Sequence, residues 1–89
     1  VLILSAANGF ALGQWHEGTV TKAPWKDEYT FIQIDDVRYT IMEDARLVKV
    51  SNKNRMAVKS RIKEHELFEG NHLYYMSEGN RIYQIEKIR

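Results

Sequence analysis

Alternation of apolar and polar side chains is clearest between residues 29 and 42. Two runs rich in β-branched and aromatic residues, 29–34 and 37–42, flank the acidic pair Asp35-Asp36. Such runs on either side of two turn-forming residues predict a β-hairpin. A two-residue turn puts three opposed pairs on a core face and three on an outward face. The core pairs are Ile34/Val37, Ile32/Tyr39 and Thr30/Ile41, and the outward pairs are Gln33/Arg38, Phe31/Thr40 and Tyr29/Met42.

The chain before and after this hairpin also favours strands. Residues 15–22 predict a strand in which Gly18 marks a bulge or a sharp coil. The polar residues 23–28, which include the single proline, predict a connection from that strand into the hairpin. After the hairpin, Glu43-Asp44 is expected to turn the chain.

Residues 46–50 and 55–59 predict a second hairpin around the turn-forming residues 51–54. Residues 60–70 have no convincing amphipathic stripe, so at most a short turn of helix is expected there. Residues 71–88 predict a third hairpin whose tip is Glu78-Gly79-Asn80, because glycine readily adopts the positive φ of tight turns.

For the third hairpin, a three-residue tip predicts Leu73 opposite Ile85 and Tyr75 opposite Tyr83. All segments together predict an all-β fold. We expect a small antiparallel β-barrel of OB or SH3-like type, built as a meander of hairpins with at most one short helical turn.

The first eleven residues have a different character from the rest. An apolar run, 1–4, precedes the small residues of 5–11, and this order is typical of the end of a secretory signal peptide. We therefore expect residues 1–11 to be a signal-peptide remnant, residues 12–89 to form one barrel domain, and the protein to be periplasmic or secreted. The competing interpretation is that residues 1–4 form a first apolar strand of the barrel.

Composition is that of one small folded domain. The chain has 89 residues, of which 44% are hydrophobic and 28% are charged, so it is expected to fold around a single core. It has no cysteine, which excludes disulfides and thiolate metal sites within this sequence.

Charge is nearly balanced overall but unevenly distributed. The formal net charge is +1, yet residues 46–63 carry seven Lys and Arg side chains and no acid, whereas acidic residues predominate between 17 and 44. This pattern fits a dipolar surface, and it also fits two blocks that neutralise each other once the strands fold together.

The order of four segments resembles a group of small exported bacterial OB-like β-barrel domains, most of them of unknown function. The segments are Gly18-Thr19-Val20, then residues 32–41, then residues 67–75, and finally residues 78–85. The resemblance implies a strand-after-strand barrel and carries no catalytic residues. Asp36 stands where that pattern usually has glycine, which leaves the type of the first hairpin turn open.

Residues able to carry chemistry are few and scattered. His16, His65 and His72 have no metal-ligand spacing, and Asp35-Asp36 lacks the ligand ladder of a calcium loop. No serine lies in a nucleophile elbow, and no glycine-rich loop precedes a helix to hold phosphate. We therefore expect no enzyme activity, no metal and no cofactor.

Binding is the remaining function, and the outward face of the first hairpin is the candidate surface. We expect a contact patch with a basic rim: Trp25, Tyr29, Phe31 and Met42 for the patch, and Arg55, Lys59 and Arg61 for the rim. A loop or the N-terminal segment covering this face is the alternative explanation for its apolar character.

Two functions are therefore predicted. The first is a non-catalytic exported module of the bacterial cell envelope that docks a protein through the apolar hairpin face or an open sheet edge. The alternative is an OB-like single-stranded nucleic-acid-binding domain. Its basic segment 46–63 would follow the phosphates, and Tyr74, Tyr75 and Tyr83 are candidates for base stacking.

Overall fold

The computed structural model describes residues 14–88, and most of these residues are in β-strands. The strands are β1 (Gln14–Lys26), β2 (Thr30–Ile34), β3 (Val37–Lys53), β4 (Met56–Arg61), β5 (His72–Glu78) and β6 (Arg81–Lys87). One turn of 3-10 helix, Glu64–Glu66, lies between β4 and β5. The predicted small all-β barrel with at most one short helical turn is confirmed. The predicted signal-peptide remnant, residues 1–11, lies outside the described residues.

Five strands close the barrel in the order β1-β2-β3-β6-β5 and back to β1. Neighbours are antiparallel except β3 and β6, which run parallel. The barrel therefore closes through one long-range parallel pair, which a meander of hairpins alone does not supply. β4 lies outside the closed ring and pairs with the end of β3, so that residues 50–59 form a two-stranded extension, here called the ribbon.

The first hairpin has the predicted register. The pairs from Thr30/Ile41 to Ile34/Val37 are all present, and Asp35 and Asp36 both have positive φ, at 50° and 66°. Positive φ at both positions is the conformation of a type I′ turn. β1 holds this turn, because the Thr19 amide donates to the Asp35 carboxylate at 3.0 Å and the Asp36 amide donates to the Thr21 hydroxyl at 3.0 Å.

Two predicted connections are strand instead. β1 continues through residues 23–26, because shifts in its register with β2 on either side of Lys22 accommodate Pro24 at an irregular position. The turn predicted at Glu43-Asp44 is also wrong. β3 leaves the β6 ladder after Ile41 and rejoins it at Arg46, so the two acids bulge outward without ending the strand.

The later hairpins have tighter turns than predicted. The second turns at Asn54-Arg55, with Lys53 opposite Met56, instead of at residues 51–54. The third turns at Gly79-Asn80.

The register predicted for the third hairpin is wrong, since Leu73 faces Lys87 and Tyr75 faces Ile85. Ile82 and Ile85 are both fully buried although three residues apart. In a regular strand such residues face opposite sides, and an extra residue at Tyr83 restores them to one side.

The core fills the barrel and is closed at one end by the segment after β4. It consists mainly of aliphatic residues from every strand of the ring: Val20, Ile32, Ile34, Ile41, Leu47, Leu73, Ile82 and Ile85. Ile62 and Leu67, on either side of the 3-10 turn, join this core. Within residues 14–88, no helix has the length and apolar character needed to cross a membrane.

Candidate partner-binding face

Two rows of side chains run across the outward face of β1, β2 and β3. Register places Trp25 opposite Phe31, and Phe31 opposite Thr40, which we call the aromatic row. The adjacent row joins Lys22, Gln33 and Arg38, and we call it the cationic row. On β2 and β3 the rows follow from alternation, because alternate residues point outward while Ile32 and Ile34 point into the core. On β1, Lys22 and Trp25 are three residues apart, and the register shift between them brings both to the outward face.

The two rows contact each other through cation–π pairs. The Lys22 ammonium lies 4.4 Å from the centroid of the Trp25 ring, and the Arg38 guanidinium lies 5.1 Å from that of Phe31. The Trp25 and Phe31 rings are 5.6 Å apart, and Tyr29 meets Phe31 edge-on at 6.4 Å. Since each cation already lies over a ring, the aromatic row is held in place before any ligand arrives.

Tyr29 and Met42 both line a groove of about 430 Å³, which we call the Tyr29–Met42 groove. Its apolar surface comes from these two residues and Ile41, and Tyr29 is 61% exposed. Three charged side chains that line it are acidic, namely Glu28, Glu43 and Glu64, and one, Lys26, is basic. The groove therefore combines an apolar interior with a negative rim.

The predicted basic rim is dispersed. Arg61 lines a second groove, of about 260 Å³, that also contacts Met42. Arg55 lies in the turn at the tip of the ribbon. Lys59 donates at 3.0 Å to the carboxylate of Glu86 on β6. The fold thus gathers Trp25, Tyr29, Phe31 and Met42, brings Arg61 beside Met42, and places Arg55 and Lys59 elsewhere.

The tyrosines considered for base stacking lie in different environments. Tyr74 is exposed and Tyr83 is partly buried, while Tyr75 is part of the core. Burial, reinforced by a hydrogen bond with Tyr39, raises the pKa of Tyr75 well above its ordinary value of 10.0. These three residues therefore do not form one open stacking surface.

The histidines take part in local contacts. Nε2 of His72 donates to the Glu17 carboxylate, and the His16 ring lies 5.5 Å from that of Tyr75. His65 lines a shallow groove beside Trp25. Across residues 14–88, no three histidine or acidic side chains converge in a way that could hold a metal ion.

Several residues of this face were not identified from the sequence. Lys22 lies two residues before Pro24, at an irregular position of β1, so alternation did not assign its side. Glu43 and Glu64 both line the groove although they come from separate parts of the chain, and no local pattern relates them. Arg38 is the residue of the cationic row that the sequence could identify, because its predicted pairing with Gln33 places it on the outward face.

Comparison with known proteins assigns no family to this chain. It matches no protein-family model, and no curated protein or solved structure shows significant similarity to it.

Proposed function

We propose that this chain is a non-catalytic binding domain of the cell envelope that docks a protein partner on the face formed by β1, β2 and β3. The observation that carries this proposal is the Tyr29–Met42 groove, whose apolar interior has a rim dominated by Glu28, Glu43 and Glu64. Such a groove suits an apolar side chain flanked by a basic one. A cell-envelope location is supported by the composition of residues 1–11.

Tyr29 is the natural anchor of the proposed contact. It is 61% exposed, it lies between the groove and the aromatic row, and its edge-on contact with Phe31 restricts its orientation. Exposed tyrosines of restricted orientation contribute strongly to protein interfaces, because little side-chain entropy is lost on binding.

The experiment that tests this function is site-specific photocrosslinking in cells that produce the full-length protein. A photoreactive phenylalanine analogue replaces Tyr29 in one strain and Val37 in a matched control strain, since Val37 is also exposed but lies by the hairpin turn. We expect a protease-sensitive adduct of discrete mass from position 29, none from position 37, and loss of the adduct when Glu43→Lys is added. Absence of an adduct at position 29 would refute the proposal.

A second candidate function is favoured by the two rows, and it is the OB-like single-strand binder. Barrels of that type bind oligonucleotides on the corresponding strands, with aromatic side chains stacking bases and cations contacting phosphates. Here Lys22 and Arg38 lie beside Trp25 and Phe31, whereas the basic segment 46–63 lies along β3 and the ribbon. The acidic rim of the adjoining groove disfavours this candidate, because it repels phosphate.

Fluorescence anisotropy with a labelled oligothymidylate separates the two candidates. If the chain binds single strands, its affinity for the oligothymidylate should fall steeply as the salt concentration rises, and Trp25→Ala should lower that affinity. Trp15→Ala is the matched control, since Trp15 is an exposed tryptophan of the same strand that pairs with β5 instead of β2. No measurable binding at low salt would exclude the nucleic-acid candidate.

A further inference from the structure

We propose that the outer edge of β4 takes up an extended segment of a partner protein as an additional strand, and that this segment alternates apolar and acidic side chains. Ala57 and Lys59 do not line the Tyr29–Met42 groove, whereas Arg61 lies beside Met42. Variants at Ala57 therefore distinguish failure of this proposal from failure of the proposed function.

β4 has an unpaired side. Within residues 14–88, β4 pairs with β3 alone, whereas β1, β2, β3, β5 and β6 each have a neighbour on both sides. An unpaired strand edge presents backbone donors and acceptors that match those of an extended peptide.

The hairpin geometry identifies which residues present those groups. Lys53 and Met56 flank a two-residue turn and therefore exchange hydrogen bonds, as do alternate pairs further along the ladder. The Ile62 amide donates to the Leu47 carbonyl at 3.0 Å, which is the same alternation continued past β4. The remaining residues, Ala57, Lys59 and Arg61, consequently direct their backbone groups away from β3.

The side chains along the edge differ between its two faces. Met56 and Val58 lie on one face, and Met56 is 67% exposed. Lys59 and Arg61 lie on the other face. An added strand places its own side chains alternately beside these two sets, so its best sequence has apolar residues next to Met56 and Val58 and acidic residues next to Lys59 and Arg61.

Charge decides between this occupant and a second copy of the chain. Residues 46–63 contain seven cations and no acid, and Glu86 is the ion-pair partner of one of them, Lys59. If two β4 edges paired with each other, Lys59 and Arg61 of both copies would share one face and repel. Acidic side chains of a partner segment would instead be attracted to Lys59 and Arg61. The two cations therefore disfavour pairing between two copies and favour an acidic partner.

The test uses the full ¹⁵N-labelled chain and an acetylated, amidated octapeptide of alternating glutamate and valine. We expect saturable shifts and slowed hydrogen exchange at the amides of Ala57 and Lys59. An octapeptide of alternating lysine and valine should bind at least about tenfold more weakly. The glutamate–valine peptide carrying an N-methyl group on every second residue keeps the charge but loses one hydrogen-bonding edge, and it should also bind at least about tenfold more weakly.

Variants of the chain locate the contact. Ala57→Pro removes an outward N–H and leaves the hydrogen bonds to β3 intact, so it should weaken binding of the glutamate–valine octapeptide about tenfold. Ala57→Ser is the matched control and should leave binding unchanged. Arg61→Gln should weaken binding about fivefold. The melting temperature of each variant shows whether it folds. If Ala57→Pro does not fold, the N-methylated peptide shows whether binding depends on the backbone hydrogen bonds of an added strand.

Three results would overturn the proposal. The first is octapeptide binding that neither N-methylation nor Ala57→Pro weakens, because that result indicates ion pairing without strand addition. The second is slow exchange at Ala57 and Lys59 before any peptide is added, because the edge is then already occupied. The third is no octapeptide binding at low salt, whether or not an oligonucleotide binds the ribbon.

Discussion

The hydroxyl oxygens of Tyr39 and Tyr75 lie 3.2 Å apart and share a hydrogen bond. Tyr39 belongs to β3 and Tyr75 to β5, and these strands are not neighbours in the sheet because β6 lies between them. The two rings also meet at an angle of 60°, with centroids 5.3 Å apart. One polar contact therefore ties together two strands of the ring that exchange no backbone hydrogen bonds.

Tyr39→Phe should lower the free energy of unfolding by about 1–2 kcal/mol, because the buried hydroxyl of Tyr75 then loses its partner. Tyr75→Phe should cost less, since Tyr39 is only partly buried and its hydroxyl can bind water. Urea denaturation of both single variants and the double variant measures the coupling. Strictly additive losses would show that the hydrogen bond contributes nothing.

Stability should decline in alkaline solution because of the same tyrosine. Burial raises the pKa of Tyr75 above 10.0 in the folded state, so the unfolded chain loses this proton first. The stability that the protonated Tyr75 contributes to the folded state is fully present below pH 10.0. It is lost as the pH rises from 10.0 towards the higher pKa of Tyr75 in the folded state. Urea midpoints measured on both sides of that pH should fall more for the native chain than for Tyr75→Phe. Equal declines would contradict this assignment.

Gly18→Ala should destabilise the barrel by about 1–3 kcal/mol through overpacking. A Cβ at this position would lie 2.6 Å from the Cγ2 of Ile34 and 2.7 Å from the Asp35 carboxylate. Ile34→Leu removes that Cγ2 at constant volume and should recover part of the loss in the double variant. Thermal melts of the four proteins in this cycle measure the coupling, and a coupling of zero would place the strain elsewhere.

Leu67 and Phe68 are adjacent apolar residues that should respond very differently to truncation. Leu67 is 1% exposed and closes one end of the core, so Leu67→Ala should cost about 2–5 kcal/mol. Phe68 is 57% exposed, and its ring contacts the Lys87 ammonium at 5.2 Å, so Phe68→Ala should cost less than about 1 kcal/mol. Denaturant titration of the two variants checks the order. A larger loss for Phe68→Ala than for Leu67→Ala would contradict the placement of Leu67 in the core.

Local sequence patterns were sufficient to predict the first hairpin and much of the candidate face. Alternation on either side of Asp35-Asp36 is a local pattern, and a two-residue turn leaves one register that buries Ile32 and Ile34. The same alternation put Phe31 and Met42 on the outward side. Local spacing sufficed for these assignments because neighbouring strands of a hairpin are joined by a very short loop.

The closure of the barrel and the surroundings of the face depend on contacts between distant parts of the chain. Ile82 and Ile85 enter one core only through the extra residue at Tyr83, and β3 continues through Glu43-Asp44 because it must reach both β6 and β4. Glu43 and Glu64 both line the groove, while Arg55 and Lys59 lie away from it. These relationships depend on the curvature of long strands and on pairings between distant residues. Such pairings are selected by the packing of the whole core, and local periodicity carries no record of them.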